Sequence, residues 1–562
     1  MVDNGNFISR FIQNAENTPD KIALQLPQMD GQNCLSEASI SYGELSSLIA
    51  AYKTLWQKKG WKAGDRVIVI LKPSKELYAI AMSLFSLGIV AVFIDTGMGR
   101  KKIQMAIRDS NASAIISMKA LIKLFWLVPA LWPLQRFSID GSGFGYRNII
   151  DQVNEVISER ANTNDTLKGI ERSNTDHGLI SFTSGSTGRP KGADRTHFSL
   201  IQQHLAIRDH WPDEVDDIDC PCFPVMVLHN LSCGMTTIMP KVDLAQPSQV
   251  NAEVVIGQIR QHKITRLSGA PAYIAALVNY LSQQQEGLNT VSEIKSIVVG
   301  GATVSKALAQ GIRQAFPTAD ARIVYGSTEA EPISDVSLDE YLGEQKEGYL
   351  VGHIASQVDL LISNVSDLDE QGKTITEEVL LARACQVDEI GEILVSGHHV
   401  LKQYIDNPSA NRENKIPRKN VEATKSVWHR TGDCGYQDSQ GRLWLSGRIK
   451  DVIRINGQTL QPYPIEQKLD QEKGIQRSSV IHYEGEVYLF VQPSQKKTAS
   501  SVIESITRIA SDHLSDLGIK HIRYIEIEKM PVDGRHNSKI DRPLLRESLV
   551  GNKAHKSQLV AL

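Results

Sequence analysis

The chain lacks a long unbroken apolar run, an excess of either charge and a dense cysteine pattern, and each lack removes a class of protein. Its most apolar stretch, Leu121 to Leu134, is interrupted by Lys123, Pro129 and Pro133 and is too short to span a bilayer. A buried helix followed by a loop is expected there, with contact to a membrane surface or an acyl chain as the second reading. Lys and Arg number 61 against 64 Asp and Glu, a balance that argues against a dedicated nucleic-acid surface. Six cysteines (Cys34, Cys220, Cys222, Cys233, Cys385, Cys434) in 562 residues are too sparse for a disulfide scaffold and fit a reducing cytoplasm. Cys220-Pro221-Cys222 with His229 makes a partial metal pattern, but no second close Cys or His pair completes it, so buried thiols are expected. No basic segment leads into an apolar core after Met1, so no secretory signal is expected.

A chain of 562 residues exceeds what one core usually organises, and at least two domains follow. Short apolar runs at Val67 to Leu71, Ile89 to Asp95, Ala112 to Ser117, Leu179 to Thr183, Thr265 to Ser268, Ser296 to Val299 and Arg322 to Val324 read as strands. Helical patterns at Glu76 to Leu87, Ala252 to His262 and Lys306 to Phe316 alternate with them. This alternation predicts a layered α/β fold with much parallel sheet. Asn407 to Ser426 is polar and charged and reads as an exposed loop.

The most informative segment is Ser181-Phe182-Thr183-Ser184-Gly185-Ser186-Thr187-Gly188-Arg189-Pro190-Lys191-Gly192. Glycines let backbone N–H groups turn toward phosphate oxygens, hydroxyls add short donors, and Lys191 adds charge. The common P-loop is excluded, because Pro190 and Gly192 stand where that motif needs Gly before the lysine and Ser or Thr after it. A flexible connector would explain the small residues but not their order. Four further motifs follow in the chain: Tyr325-Gly326-Ser327-Thr328-Glu329, His429-Arg430-Thr431-Gly432-Asp433, Gly447-Arg448-Ile449-Lys450-Asp451 and Asn537-Ser538-Lys539-Ile540.

With these motifs in this order, over nearly its whole length, the sequence resembles the adenylate-forming superfamily of acyl-CoA synthetases, peptide-synthetase adenylation domains and luciferases. The resemblance implies a large N-terminal adenylation domain, residues 1–447, and a small mobile α+β domain, residues 448–562. It implies ATP and Mg²⁺ as cofactors, with Thr183, Ser184, Gly185, Ser186, Thr187, Gly188 and Lys191 at the β- and γ-phosphates. Glu329 would supply a carboxylate to Mg²⁺ with Thr328 beside it, and Asp433 would accept hydrogen bonds from the ribose hydroxyls. Gly300, Gly301, Ala302 and Tyr325 would lie along adenine, Gly300 also bordering the acyl pocket, and Arg448 would reach ribose or phosphate. Lys450 would be the hinge between domains. Lys539 would bridge the carboxylate and the α-phosphate, where an ammonium stabilises shared charge. Ser538 before it replaces the usual glycine, which leaves the loop geometry open. Taken alone, each of these residues has an ordinary reading as a turn, surface or core residue.

Phe223 to Asn230 falls where the family lines its acyl pocket, and His229 takes the place of the aspartate that pairs with an amino acid's ammonium. An imidazole cannot replace that anion, so a fatty or β-hydroxy fatty acid is expected rather than an amino acid. The segments Phe223 to Pro240 and Pro531 to Ile540 look like a subgroup that includes β-lactone synthetases of olefin biosynthesis. The alternatives are a ligase passing an acyl or aryl group to CoA or to a carrier protein's phosphopantetheine, and an inactive nucleotide-binding homologue.

Overall fold

The computed structural model describes residues 5–30, 33–160, 166–183, 189–243, 250–284, 291–346, 348–365, 375–455, 458–494, 500–515, 518–532, 540–550 and 558–561. Two sheets organise the N-terminal part. The first has seven strands among the described residues, in the order Arg147–Asn148, Gln135–Ser138, Ala114–Ser117, Arg66–Ile70, Val90–Ile94, His177–Thr183 and Lys191–Thr196. All neighbours are parallel except the last pair, which is antiparallel. The central strands RVIVI and VAVFI are rich in β-branched residues and largely buried, as parallel strands covered on both faces must be. The connecting helix Lys75–Ser86 starts where Ser74 accepts the Leu77 N–H, and ten of its twelve residues are buried.

The second sheet has 14 strands among the described residues. Its middle is parallel, running Thr236–Ile238, Ile218–Pro221, Arg266–Gly269, Ser296–Gly300 and Asp320–Ser327. Helices Ala252–His262, Pro271–Ser282 and Lys306–Ala315 bury Ile256, Ile259, Ile274, Leu277 and Ile312 in one core with Leu267, Ile297 and Val299. Beyond Asp320–Ser327 the sheet turns antiparallel through Ala330–Ser337, Tyr349–Ile354, Arg442–Arg448, Val427–Gln437, Gly391–Gly397 and Val358–Ser363. The parallel strands thus end beside antiparallel ones, a place where α/β sheets form crevices.

The C-terminal part has its own core, in which Leu469, Val480, Leu489, Val491 and Ile509 cluster. Its strands Ile475–Tyr483, Glu486–Pro493, His521–Glu526 and Gln558–Ala561 form a separate four-stranded sheet. Helix Pro462–Leu469 docks it on the larger part. Gln467 accepts the Gly348 N–H at 3.0 Å and donates to the Gly348 carbonyl at 2.9 Å, while Tyr463 packs edge-on to Tyr349 at 5.7 Å.

Two expectations need correction. Asn407 to Ser426 is not a plain exposed loop: it holds helix Pro408–Asn414, strand Lys415–Pro417 and a 3₁₀ turn, Ala423–Lys425. Asn407 caps that helix by accepting the Ala410 N–H, and Pro408 fills the first turn, where no N–H is needed. Leu121 to Leu134 is not a buried helix either. It breaks into the short helix Lys119–Ile122 and two 3₁₀ turns at Phe125–Leu127 and Pro129–Leu131, leaving Trp126 and Trp132 exposed.

Candidate active site

The strands His177–Thr183 and Lys191–Thr196 form a hairpin whose register pairs Thr183 with Lys191. The loop they flank contains Ser184, Gly185, Ser186, Thr187 and Gly188, which lie outside the described residues. Lys191 is buried, and its ammonium sits over the ring of Tyr404, 5.1 Å from the centroid. The Lys415 ammonium sits over the same ring at 5.2 Å and donates to the Leu401 carbonyl. Attraction of a cation to a ring's negative face extends to about 6 Å, so both lysines are held by one tyrosine.

Tyr404 reaches this place because the segment after Gly391–Gly397 runs beside the hairpin that carries Lys191. The Ile405 N–H donates to the Gly192 carbonyl at 2.9 Å, and Tyr404 bridges Ala193. Its hydroxyl donates to Glu329 Oε1 at 2.8 Å. The Leu401 N–H holds the Glu329 carbonyl at 2.7 Å, and Arg195, from the hairpin, donates to the Thr328 carbonyl and to Ser181 Oγ at 3.1 Å. Thr328, Glu329 and Lys191 are therefore fixed relative to one another by Tyr404, Leu401 and Arg195.

Burial alone would raise the Glu329 carboxyl, but His429, Lys415 and the Tyr404 hydroxyl outweigh it and hold it down to about 2. Burial keeps His429 itself neutral, pushed down to about 3, so above that pH Lys415 and Tyr404 do the holding. Burial also pushes the Lys415 amine down to about 7, against the pull of Glu329. Glu329 is thus an anion at neutral pH, with Oε1 accepting from Tyr404. An anionic carboxylate tied through Tyr404 to Lys191 fits Mg²⁺, which binds through few protein carboxylates plus phosphate oxygens.

A second cluster stands at the ends of neighbouring strands. Gly300 closes Ser296–Gly300 opposite Val324, and a Cβ there would stand 3.1 Å from the Val324 carbonyl, so a side chain has little room. Gly301 follows at φ +86°, in the left-handed region that favours glycine, and Phe223 is the neighbour a Cβ there would meet, at 3.8 Å. Ala302 continues the turn and is half-buried. From the adjacent strand the Tyr325 hydroxyl donates to Asp433 Oδ2 at 2.7 Å, and Arg448 Nε donates to Asp433 Oδ1 at 2.8 Å. Asp433 and Arg448 are also cross-strand partners, so the backbone register fixes the ion pair. Asp433 keeps the Arg448 guanidinium firmly charged. Each Asp433 oxygen retains a lone pair for a further donor.

Arg448 ends its strand and the turn Ile449–Asp451, containing Lys450, leads into the C-terminal part. Asp451 is buried and faces Arg542 at 3.6 Å and Arg546 at 3.7 Å, both in helix Arg542–Val550. The turn is thereby anchored to the C-terminal part immediately after Lys450. Lys539 lies outside the described residues. His229, expected at the acyl pocket, is 4% exposed and directs Nδ1 to His204 at 3.1 Å and Nε2 to the Cys233 sulfur at 3.5 Å.

Sequence reading missed Tyr404, Lys415 and Arg195. Tyr404 carried a weak signal, an aromatic residue shortly after strand Gly391–Gly397; Lys415 and Arg195 carried none, since buried lysine and arginine look like surface charge in a sequence.

The hairpin carrying Lys191, the Glu329 carboxylate and the Asp433-Arg448-Tyr325 cluster at strand ends are thus brought into defined geometry, and a model of the AMP-binding enzyme family matches residues 11–405. The chain belongs to that family, and it is an adenylate-forming ligase that activates a carboxylic acid with ATP. It is 27% identical over 559 residues to the olefin beta-lactone synthetase of Stenotrophomonas maltophilia, covering 96% of this chain and 97% of that protein. With the 2-succinylbenzoate–CoA ligase of Bacillus subtilis it shares 22% identity over 480 residues, 84% of this chain and 83% of the relative. Its fold is similar to that of ATP-bound MatB from Rhodopseudomonas palustris, with a TM-score of 0.77 at 19% identity over 97% of this chain and 99% of the other. No helix among the described residues is long and apolar enough to cross a membrane.

Proposed function

We propose that the protein adenylates a β-hydroxy fatty acid and closes the product to a β-lactone. The observation that carries this reading is the similarity to the olefin beta-lactone synthetase of S. maltophilia, which extends over 96% of this chain and so includes the C-terminal part. In the first step a carboxylate oxygen attacks the α-phosphate and pyrophosphate leaves with the electrons of the broken P–O bond. Lys191 and the loop around Ser184 to Gly188 would hold the departing phosphates, Asp433 would hold the ribose, and Gly300 to Ala302 with Tyr325 would flank adenine. Mg²⁺ would be held by Glu329 and would neutralise phosphate charge. Lys539, delivered by a C-terminal domain that begins at residue 448, would stabilise the charge shared by carboxylate and α-phosphate. In the second step the substrate's own hydroxyl oxygen attacks the activated carbonyl, AMP leaves, and the hydroxyl proton is lost. An intramolecular nucleophile brings the proximity advantage without a thiol.

Carboxylate-dependent pyrophosphate exchange tests the substrate class. Each buried methylene contributes about 0.8 kcal/mol, so apparent affinity should rise severalfold per carbon across a chain-length series and then level off. A flat series, or selective exchange with one α-amino acid, would overturn the proposal. Transfer to CoA or to a carrier protein is the second reading, favoured by the CoA-ligase names of several relatives, the 2-succinylbenzoate–CoA ligase among them.

A further inference from the structure

His204, His229 and Cys233 lie apart from the nucleotide residues and form a second cluster. His229 and Cys233 are one helical turn apart on Met226–Cys233, so their side chains share a face; His204 faces them from helix His197–His210. One ligand atom from each residue lies within 4.8 Å of the others. The His204 Nδ1 to His229 Nδ1 separation is 3.1 Å and the His229 Nε2 to Cys233 Sγ separation 3.5 Å. Zinc bonds of about 2.0 Å to nitrogen and about 2.3 Å to sulfur, set tetrahedrally, place ligand atoms roughly 3.3–3.6 Å apart; an ion would take one His229 nitrogen only, and the three ligand atoms, now within 4.8 Å of one another, would draw together by roughly an ångström to form that shell.

As a purely hydrogen-bonded network the cluster is poorly satisfied. Two imidazoles share one proton across the 3.1 Å contact, and His204 Nε2 is buried with no partner among the described residues. Asp213 lies beside Cys233, with a side chain only 10% exposed, and its Oδ1 accepts from Arg208 at 2.7 Å. A dication bound by the Cys233 thiolate with Asp213 alongside would be neutral overall, which suits a site whose other charged neighbours are Arg10, Arg208 and Arg266. Two nitrogens and one sulfur favour Zn²⁺ over Mg²⁺ or Ca²⁺, which prefer oxygen alone.

We propose that His204, His229 and Cys233 form a structural zinc site, with Asp213 beside Cys233, that ties helix Met226–Cys233 to helix His197–His210. The second of these helices directly continues the strand carrying Lys191, so the metal would brace the phosphate hairpin from behind. Binding releases the Cys233 thiol proton to solvent. It makes His229 a ligand rather than a group facing substrate.

The test uses the full chain purified without a metal-binding tag from zinc-supplemented cells. Elemental analysis should find about one zinc per chain. After chelation, added Co²⁺ should give a thiolate-to-cobalt charge-transfer band and the intense visible bands of tetrahedral cobalt. Cys233→Ser should abolish the charge-transfer band and weaken zinc binding at least tenfold, while Cys222→Ser leaves both intact. Should Cys233→Ser fail to fold, the wild-type cobalt spectrum still decides. Wild type holding less than about a tenth of an equivalent of zinc and giving no charge-transfer band would overturn the proposal. A band that persists in folded Cys233→Ser would overturn it equally.

Discussion

Tyr404 and Glu329, 75 residues apart in the chain, are joined by a hydrogen bond of 2.8 Å, and the same tyrosine ring lies under the ammonium groups of Lys191 and Lys415. One side chain therefore sets the distance between the carboxylate proposed for Mg²⁺ and the lysine proposed for the phosphates. Its phenol is not a source of protons, because burial and Glu329 push its ionisation far above the usual tyrosine range. Tyr404 is a positioning residue.

Tyr404→Phe keeps the ring beneath both lysines and removes only the donor to Glu329. A hydrogen bond to a charged group is worth about 1.5–3 kcal/mol, so adenylation should slow by roughly ten- to hundredfold. The Mg²⁺ concentration needed for half-maximal pyrophosphate exchange should rise, because a less well-held carboxylate grips the ion less well. An unchanged Mg²⁺ response would detach Tyr404 from Glu329's role.

Lys415 predicts a pH dependence of stability. Its amine falls from 10.5 to about 7 on folding, chiefly through burial. Below about 7 both folded and unfolded chains hold the proton, and Lys415 contributes no slope. Between 7 and 10.5 only the unfolded chain holds it, so stability rises with pH across that window. Lys415→Met removes this component, so denaturation measured from pH 7 to 9.5 should show the wild type gaining on the variant by up to about 1.4 kcal/mol per pH unit. A constant difference between the two proteins would contradict the buried, low-pKa lysine.

The alternation of strands and helices around the first sheet was legible in sequence. Val67 to Ile70, Val90 to Ile94 and Ala114 to Ser117 are short β-branched runs separated by helical patterns, and such runs admit few other folds. The motifs from Thr183 to Arg448 were legible for the same local reason, since glycines and hydroxyls at fixed spacing leave a mark in sequence. Contacts made by ordinary residues across long separations were not. Nothing local to Lys415 says that it is buried over Tyr404, and nothing local to His204 says that it meets His229 and Cys233. Polarity misled at Asn407 to Ser426, where the Asn-Pro helix start was present but charge suggested a loop. Apolarity misled at Leu121 to Leu134, where two prolines divide a run that would otherwise have made a buried helix.

The turn at Lys450 is proposed as the hinge, and the ion pairs of Asp451 with Arg542 and Arg546 would tie the turn to the C-terminal part in any such swing. Such a swing requires one residue to absorb a large backbone change. Lys450→Pro fixes φ, so one half-reaction should be impaired more than the other, measured by pyrophosphate exchange and by product formation from a supplied acyl-adenylate. Equal loss of both, or of neither, would place the hinge elsewhere.

Product analysis with a long-chain β-hydroxy acid, ATP and Mg²⁺, in the absence of CoA or any carrier protein, tests the proposed reaction most directly. AMP, pyrophosphate and a neutral product lighter than the acid by one water should appear in equal amounts, and Lys539→Ala should form none of them while still binding ATP. Turnover that stops at the acyl-adenylate until CoA is added, and then yields a thioester, would contradict the β-lactone reaction.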